Sequence, residues 1–290
     1  MITNDILTRI KEIEIQTRRL LNGMLVGDST SAIKGTGFEF DQIREYSQGD
    51  DVRFIDWHSS ARMNNLLVKQ FMEERSRTII LAVDCSSSMF FSSNDQLKYD
   101  LAAQIASVLA LVAGYGKDHI GLFLFSNDVI KMIPPKTGSN HIRRIMHALL
   151  SQNDLQHASK STVVFDAIAR MKKRDAIIFM VSDFLCNPDA KRLAVLARKH
   201  DVVAVRCLDR YEKEVPSVGA LYCADERIKH PVPLFLQRGL RANSMETFMR
   251  ERLAAQNQLF RRNAIDVLDM EPGKPFVGDL VRFFRKRMMY

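Results

Sequence analysis

No stretch of this chain is apolar for long enough to cross a bilayer. The longest candidate, Ile105 to Ala113, is interrupted by Ser107 and falls short of the ~18 to 20 residues a spanning helix needs. A secretion leader is not expected either, because Asp5, Arg9, Lys11, Glu12 and Glu14 stand where its apolar stretch should be. The expectation is a cytoplasmic protein without a membrane span. Cysteine is scarce: there are 4 in 290 residues. Cys85, Cys186, Cys207 and Cys223 show no C-x-x-C spacing and lie in or beside apolar runs. They read as reduced, mostly buried thiols.

Several catalytic signatures are also missing. Gly114-Tyr115-Gly116-Lys117-Asp118 does not match the phosphate-binding pattern G-x-x-x-x-G-K-[ST], and G-x-S-x-G is absent. The 7 histidines (His58, His119, His141, His147, His157, His200 and His230) are scattered. His141 and His147 are six apart, so they do not share a helix face as metal ligands at i, i+4 do. His119 and His200 precede strands, where they are expected to face solvent or be satisfied locally. There is no internal repeat, linker or low-complexity segment.

What is present is a normal globular composition, 46% hydrophobic and 26% charged, with a net charge of +8. The basic excess is spread over Arg18 and Arg19, Arg143 and Arg144, Lys172 to Arg174, Arg261 and Arg262, and Arg282 to Arg287. Such stretches read as solvated helix faces. No nucleic-acid motif accompanies them, so nucleic acid is not the expected partner; an anionic membrane surface and an acidic protein partner both stay open.

Residues 5 to 26 carry Ile6, Ile10, Ile13, Thr17, Leu20 and Leu21 at helical spacing and predict an amphipathic helix. Residues 27 to 76 alternate short apolar pieces with charge: Phe38-Glu39-Phe40, Val52-Arg53-Phe54-Ile55 and Leu66 to Phe71. Short strands and turns are expected there. Opposed charges at Glu39, Arg44, Asp50, Asp51, Arg53, Asp56 and Arg62 predict an ion-pair network ordering this segment, with Trp57, the single tryptophan, as packing anchor.

From residue 77 the pattern alternates strand and helix. Strands are expected at Thr78 to Val83, Ile120 to Phe125, Ala176 to Val181, Val202 to Leu208 and about 264 to 269. An edge strand is expected at Asp128 to Ile133, ended by Pro134 and Pro135. Helices are expected at Asp95 to Tyr115, capped by Ser93 or Asn94, and at about 139–151, 163–172, 188–199, 242–262 and 276–287. Continuous apolar strands alternating with helices predict an α/β fold, a Rossmann-like doubly wound, mostly parallel sheet. The expected division is 1–76, an N-terminal helix with a small β-rich subdomain, and 77–290, the main domain, with an inserted hairpin at about 215–237.

The first core strand ends in Asp84-Cys85-Ser86-Ser87-Ser88, a D-x-S-x-S string, and a later one ends in Val181-Ser182-Asp183. Thr162 falls in a loop between them, just before a helix. In open α/β sheets ligands bind beyond the carboxyl ends of the strands. Asp84, Ser86, Ser88, Thr162 and Asp183 together offer two carboxylates and three hydroxyls. That oxygen set suits Mg²⁺ or Mn²⁺ and leaves coordination places for water or a foreign carboxylate. Taken alone, D-x-S-x-S is a weak signal, because an aspartate and serines also cap turns and helix starts.

D-x-S-x-S with a later Thr and Asp resembles the metal-ion-dependent adhesion site of von Willebrand factor A domains. The upstream residues Gly35-Thr36-Gly37-Phe38-Glu39-Phe40, Arg44-Glu45-Tyr46, Gly49-Asp50-Asp51, Arg53, Ile55-Asp56-Trp57, Ala61-Arg62 and Val68-Lys69 look like the signature of the family catalogued as domain of unknown function 58. The resemblance covers about residues 10 to 210. It implies a von Willebrand factor A-like main domain, a metal site at Asp84, Ser86, Ser88, Thr162 and Asp183, and partnership with a MoxR-type AAA+ ATPase. Cys85 departs from the small residues, such as Thr or Ala, usual at its place, and Ser161 stands where Gly is common. Many relatives carry membrane spans, and this chain shows none.

The implied function is a metal-dependent protein-interaction module that binds an acidic residue of its partner, without a catalytic residue. The alternative is a Mg²⁺-dependent phosphohydrolase with Asp84 as nucleophile, although the second acid of the D-x-D motif is Ser86 here.

Overall fold

A computed structural model of the chain describes residue 13 and residues 39–48, 50–63, 65–72, 76–152, 161–171, 175–186, 188–213, 219–223, 232–236 and 240–288. The expected helix over 5–26 and the glycines at 35 and 37 lie outside the described residues. Ile13 is the exception; it is helical and buried. The chain divides into two compact units, Leu25–Ser76 and a larger one made of Met1–Met24 with Arg77–Tyr290.

In the smaller unit, β1 (Glu39–Glu45) pairs with a second strand across a 3-10 turn at Val52–Phe54 and a short helix α1 (Trp57–Met63). That partner is β2 (Leu67–Met72), antiparallel to β1 with Arg44 opposite Val68. Two ion pairs form within the expected set, and a third draws in Lys69. Arg44 grips Asp50 with two bonds of 2.8 and 2.6 Å, Arg53 folds onto Asp51 at 2.6 Å, and Lys69 reaches Asp56 at 3.4 Å. The guanidinium of Arg53 holds the Asp51 carboxyl down to about 2.

Two expectations fail in this unit. Val52 to Phe54 is a turn rather than a strand, because Asp51 accepts the Arg53 amide at 3.0 Å and starts the 3-10 turn, and only Ile55 makes a β-bridge, to Val68. Trp57 is no packing anchor, since it is 66% exposed. The helix α1 meets β2 through buried Ser60 instead, whose hydroxyl accepts the Leu67 amide at 2.9 Å.

The larger unit is built on a six-stranded sheet. Its elements run β3 (Thr78–Asp84), α2 (Lys98–Tyr115), β4 (His119–Phe125), β5 (Val129–Lys136), α3 (Ser139–Leu150), α4 (Ser161–Ala169) and β6 (Ile177–Ser182). They continue with α5 (Ala190–Lys199), β7 (Asp201–Cys207), α6 (Arg210–Lys213), the antiparallel pair β8 (Gly219–Cys223) and β9 (Val232–Leu236), then α7 (Leu240–Arg262), β10 (Asp266–Met270) and α8 (Val277–Met288). The sheet order is β10-β7-β6-β3-β4-β5, parallel throughout except for β5, which pairs antiparallel with β4. Counted along the chain within the sheet, this is the doubly wound order 3-2-1-4-5-6, with its switch point between β3 and β6.

Each central strand feeds two cores by alternation. Leu81, Val83, Leu122, Leu124, Val181 and Val203 point to one face, where Leu101, Ile105 and Leu109 of α2 and Leu149 of α3 cover them. Ile80, Ala82, Phe123, Ile178, Met180 and Val202 point to the other, under Phe165 of α4, Leu193 of α5 and Phe260 of α7. This two-sided burial is the reason these strands are apolar at every position.

Two local expectations are corrected here. β5 does not stop before its prolines but runs through Pro134 and Pro135 to Lys136. It is the edge strand, and its register shifts between the Leu122–Ile133 and Ile120–Lys136 pairs, so the missing proline donors fall at a bulge. Gly121 permits this crossing, since a Cβ there would stand 3.0 Å from the Ile133 carbonyl oxygen and 3.1 Å from Pro135. Helix α2 begins at Lys98 with Leu97 before it, and neither Ser93 nor Asn94 caps it. Their polar groups are used over longer range. Among the described cysteines, Cys85 and Cys207 are buried and Cys186 is exposed.

His200, at the end of α5, accepts the Ala176 amide on Nδ1 at 3.3 Å. Burial pushes its pKa below 6.5. The unfolded chain therefore binds a proton that the folded chain resists, and stability falls as pH drops below about 6.5 toward the folded value. Denaturant midpoints across that range should decline more steeply for the wild type than for His200→Asn. Parallel profiles would contradict this account.

Candidate functional site

β3 delivers Asp84 to the carboxyl edge of the sheet beside β6, at the switch point. Beyond it the Cys85 amide still bonds the Phe125 carbonyl at 2.7 Å, which continues the ladder one residue past the strand. The chain then turns because Asp84 Oδ1 accepts the Ser86 amide at 2.9 Å. A 3-10 turn over Ser87–Phe90 follows, with the Met89 amide on the Ser86 carbonyl at 3.0 Å. This compact turn puts the Ser86 and Ser88 hydroxyls 3.1 Å apart. Ser86 is buried and Ser88 is partly open.

The neighbouring strand contributes Ser182, whose hydroxyl donates to Asp84 Oδ2 at 2.7 Å and accepts the Phe184 amide at 3.0 Å. Asp183 follows, buried, with Oδ1 accepting the Leu185 amide at 3.0 Å. Phe184 has a positive φ of 52°, unusual for a bulky residue. It is held there by an edge-to-face contact with Phe260 and by Gln256, whose side-chain amide donates to the Phe184 carbonyl at 2.8 Å. Gln256 in turn accepts from Arg206, which is clamped to Asp269 by bonds of 2.6 and 3.0 Å. The loop carrying Asp183 is thus braced from α7, β7 and β10.

The most consequential partner of Asp183 is Lys98. Its side chain is 0% exposed, and its ammonium donates to Asp183 Oδ2 at 2.9 Å and to Glu212 Oε1 at 2.5 Å. Burial alone would lower the Lys98 pKa, but attraction to the two carboxylates outweighs it and raises the value above the ordinary one. Glu212 is raised by its own burial, against the pull of Lys98. Its other oxygen accepts the Asp209 amide at 2.9 Å. Buried Asp209 accepts the Ser93 amide at 2.8 Å, and Asn94 donates to the Pro272 carbonyl at 3.1 Å. These bonds pin the loop after β3 against those after β7 and β10.

Of the five expected ligands, the turn brings Asp84, Ser86 and Ser88 together. Asp183 stands next to the Ser182 that bonds Asp84. Thr162 lies in the first turn of α4, not in a loop, and among the described residues no hydrogen bond links its side chain to the other four. Its carbonyl accepts from Arg192 at 3.4 Å, and Arg192 also pairs with Asp166 at 2.6 Å. Burial of Val164, Phe165 and Ile168 sets the register of α4 and draws Ser161 and Thr162 into the helix.

Lys98, Ser182, Glu212, Asp209 and Gln256 were not singled out from the sequence. Lys98 had a visible signal. It precedes Leu101, Ile105 and Leu109 at helical spacing, so it sits on the buried stripe, where a charge requires a partner.

Chemically, the turn offers one carboxylate and two hydroxyls in a water-poor corner, a donor set suited to a hard divalent cation. Cys85 is not part of it. Burial and the Asp84 charge push its thiol up to about 12. Among the described residues no group of three or more His, Cys, Asp or Glu is placed to hold a metal, so any ion here relies on the hydroxyls.

The family model described as "Protein of unknown function DUF58" matches residues 42–254. The chain belongs to the DUF58 family. Among relatives, the "Uncharacterized protein Rv1480" of Mycobacterium tuberculosis is 26% identical over 281 residues, covering 96% of this chain and 88% of that protein. "Uncharacterized protein YeaD" of Bacillus subtilis is 30% identical over 107 residues, covering 37% of this chain and 25% of that protein. Among solved structures, BatB of Bacteroides thetaiotaomicron is similar with a TM-score of 0.49 at 14% identity, covering 74% of this chain and 100% of that one. The SpRpn10 VWA domain is similar with a TM-score of 0.39 at 11% identity, covering 72% and 95%. Among the described residues of this DUF58 chain, no helix is long and apolar enough to cross a membrane.

Ser182 serves two buried groups at once, so Ser182→Ala should cost about 1 to 3 kcal/mol of folding stability. Guanidinium titration should show a lower midpoint at an unchanged slope. An unaltered midpoint would mean that the Asp84–Ser182 bond contributes nothing.

Proposed function

We propose that this DUF58 protein is a metal-dependent protein-interaction module. In this reading Asp84, Ser86 and Ser88 hold Mg²⁺ or Mn²⁺ at the switch point of the sheet. Asp183 and Thr162 belong to the set by resemblance to the adhesion site of von Willebrand factor A domains. The ion supplies a positive centre with coordination places left over, and an acidic residue of a partner protein fills one of them. The protein's own residues orient the site: Ser182 fixes the Asp84 carboxylate, and the turn after β3 presents the two hydroxyls. A net charge of +8 favours the approach of an acidic surface.

The observation that carries this reading is the 3.1 Å pairing of the Ser86 and Ser88 hydroxyls in the turn started by Asp84. Family resemblance suggests the partner, a MoxR-type AAA+ ATPase in the cytoplasm, for which this chain would act as adaptor or co-chaperone. The ATPase would supply energy and this chain recognition.

The phosphohydrolase alternative is weaker. Asp84 is 1% exposed and both its oxygens accept hydrogen bonds, which suits a structural ligand better than a nucleophile.

Affinity capture of the ATPase by the full chain tests the reading. Capture should hold in Mg²⁺, fail in EDTA, and weaken at least about tenfold, or about 1.4 kcal/mol, in Asp84→Ala and Ser86→Ala proteins that melt normally. Capture indifferent to EDTA would overturn it. Asp84-dependent turnover of a generic phosphate ester in Mg²⁺ would favour the enzyme instead.

A further inference from the structure

The candidate site already contains a cation of its own. Lys98 is fully buried, and its ammonium spans Asp183 Oδ2 and Glu212 Oε1 at 2.9 and 2.5 Å. Its position is set by the fold rather than by a flexible stem. The residue opens α2, its amide meets the Phe91 carbonyl at 3.4 Å, and its ammonium lies 5.9 Å over the Phe91 ring. The carboxylates it holds are also fixed, Asp183 by the Leu185 amide at 3.0 Å and Glu212 by the Asp209 amide at 2.9 Å.

We propose that Lys98 is a built-in competitor for the divalent ion, holding Asp183 through Oδ2 so that the chain alone binds the ion weakly and binds it firmly only when a partner carboxylate joins. The inference rests on the reading of Asp84, Ser86 and Ser88 as an ion site, and it adds a mechanism of regulation. Asp84, Asp183 and Glu212 carry three negative charges, and Lys98 removes one of them locally. A dication arriving at the turn therefore meets both a reduced negative field and a repelling ammonium. The carboxylate of a partner restores the missing charge. Ion and partner then each raise the affinity of the other, and neither is held tightly alone.

Removing Lys98 by itself strands two buried carboxylates, which can prevent folding. The double variant Lys98→Met/Glu212→Gln avoids most of that cost and leaves the net charge of the chain unchanged. Mn²⁺ binding to the full-length wild type, Lys98→Met and the double variant is measured by electron paramagnetic resonance titration, with melting temperatures recorded in EDTA and in Mn²⁺.

Lys98→Met should bind Mn²⁺ at least about tenfold more tightly than the wild type, the size expected for removing one close like charge, and the double variant more tightly by a smaller factor, because it also loses the Glu212 charge and gains only the freed Asp183 Oδ2. Their melting temperatures should rise more on adding Mn²⁺ than that of the wild type. Mn²⁺ affinity in the double variant equal to or below a measurable wild-type affinity overturns the role of Lys98 and leaves the ion site standing. Binding that appears only in the variants supports the role of Lys98, because the natural chain without its partner is expected to bind the ion weakly. Absence of binding in all three overturns both.

Discussion

A buried ammonium held between two carboxylates organises the carboxyl edge of the sheet. Lys98 begins α2, Asp183 follows β6 and Glu212 sits in α6, so one set of bonds joins three connections that are far apart in sequence. A lone charge in such a place would be costly, and the same would hold for either carboxylate without it. The three groups therefore stabilise one arrangement of the loops and no other. The turn bearing Ser86 and Ser88 has a defined place because the chain that follows it is tied down by Lys98 and by the Ser93–Asp209 bond.

Sheet topology explains why that arrangement lies where it does. In a doubly wound sheet the connections leave in opposite directions on either side of the switch point, which opens a crevice between the first and fourth strands. Here those are β3 and β6, and a direct hydrogen bond crosses the crevice from Ser182 to Asp84. The braces on Phe184 from α7 and β10 come from the C-terminal part of the chain. Gln256 and Asp269 thus help to shape a loop contributed by β6.

The main fold was legible because burial on both faces leaves a plain signature. Thr78 to Val83, Ile120 to Phe125 and Ala176 to Val181 are apolar at consecutive positions and form central strands. Where polar side chains act over long range, local pattern misleads. Ser93 and Asn94 look like helix caps, yet one binds through its amide to Asp209 and the other through its side chain to Pro272. Pro134 and Pro135 look like a strand terminus, but an edge position with a shifted register accommodates them. The D-x-S-x-S string was readable because its turn is local, whereas the placement of Thr162 depends on packing of α4 that its neighbours in sequence do not reveal. Lys98 was legible only as an anomaly, a charge on an apolar stripe, and its partners stand 85 and 114 residues away.

The two prolines of β5 have one more consequence. A sheet border with free amides at regular intervals invites an extended peptide to join as an extra strand. Along β5 that row of donors is broken at two successive residues and kinked by the irregular register. Strand addition is disfavoured over the proline-bearing end of this flank.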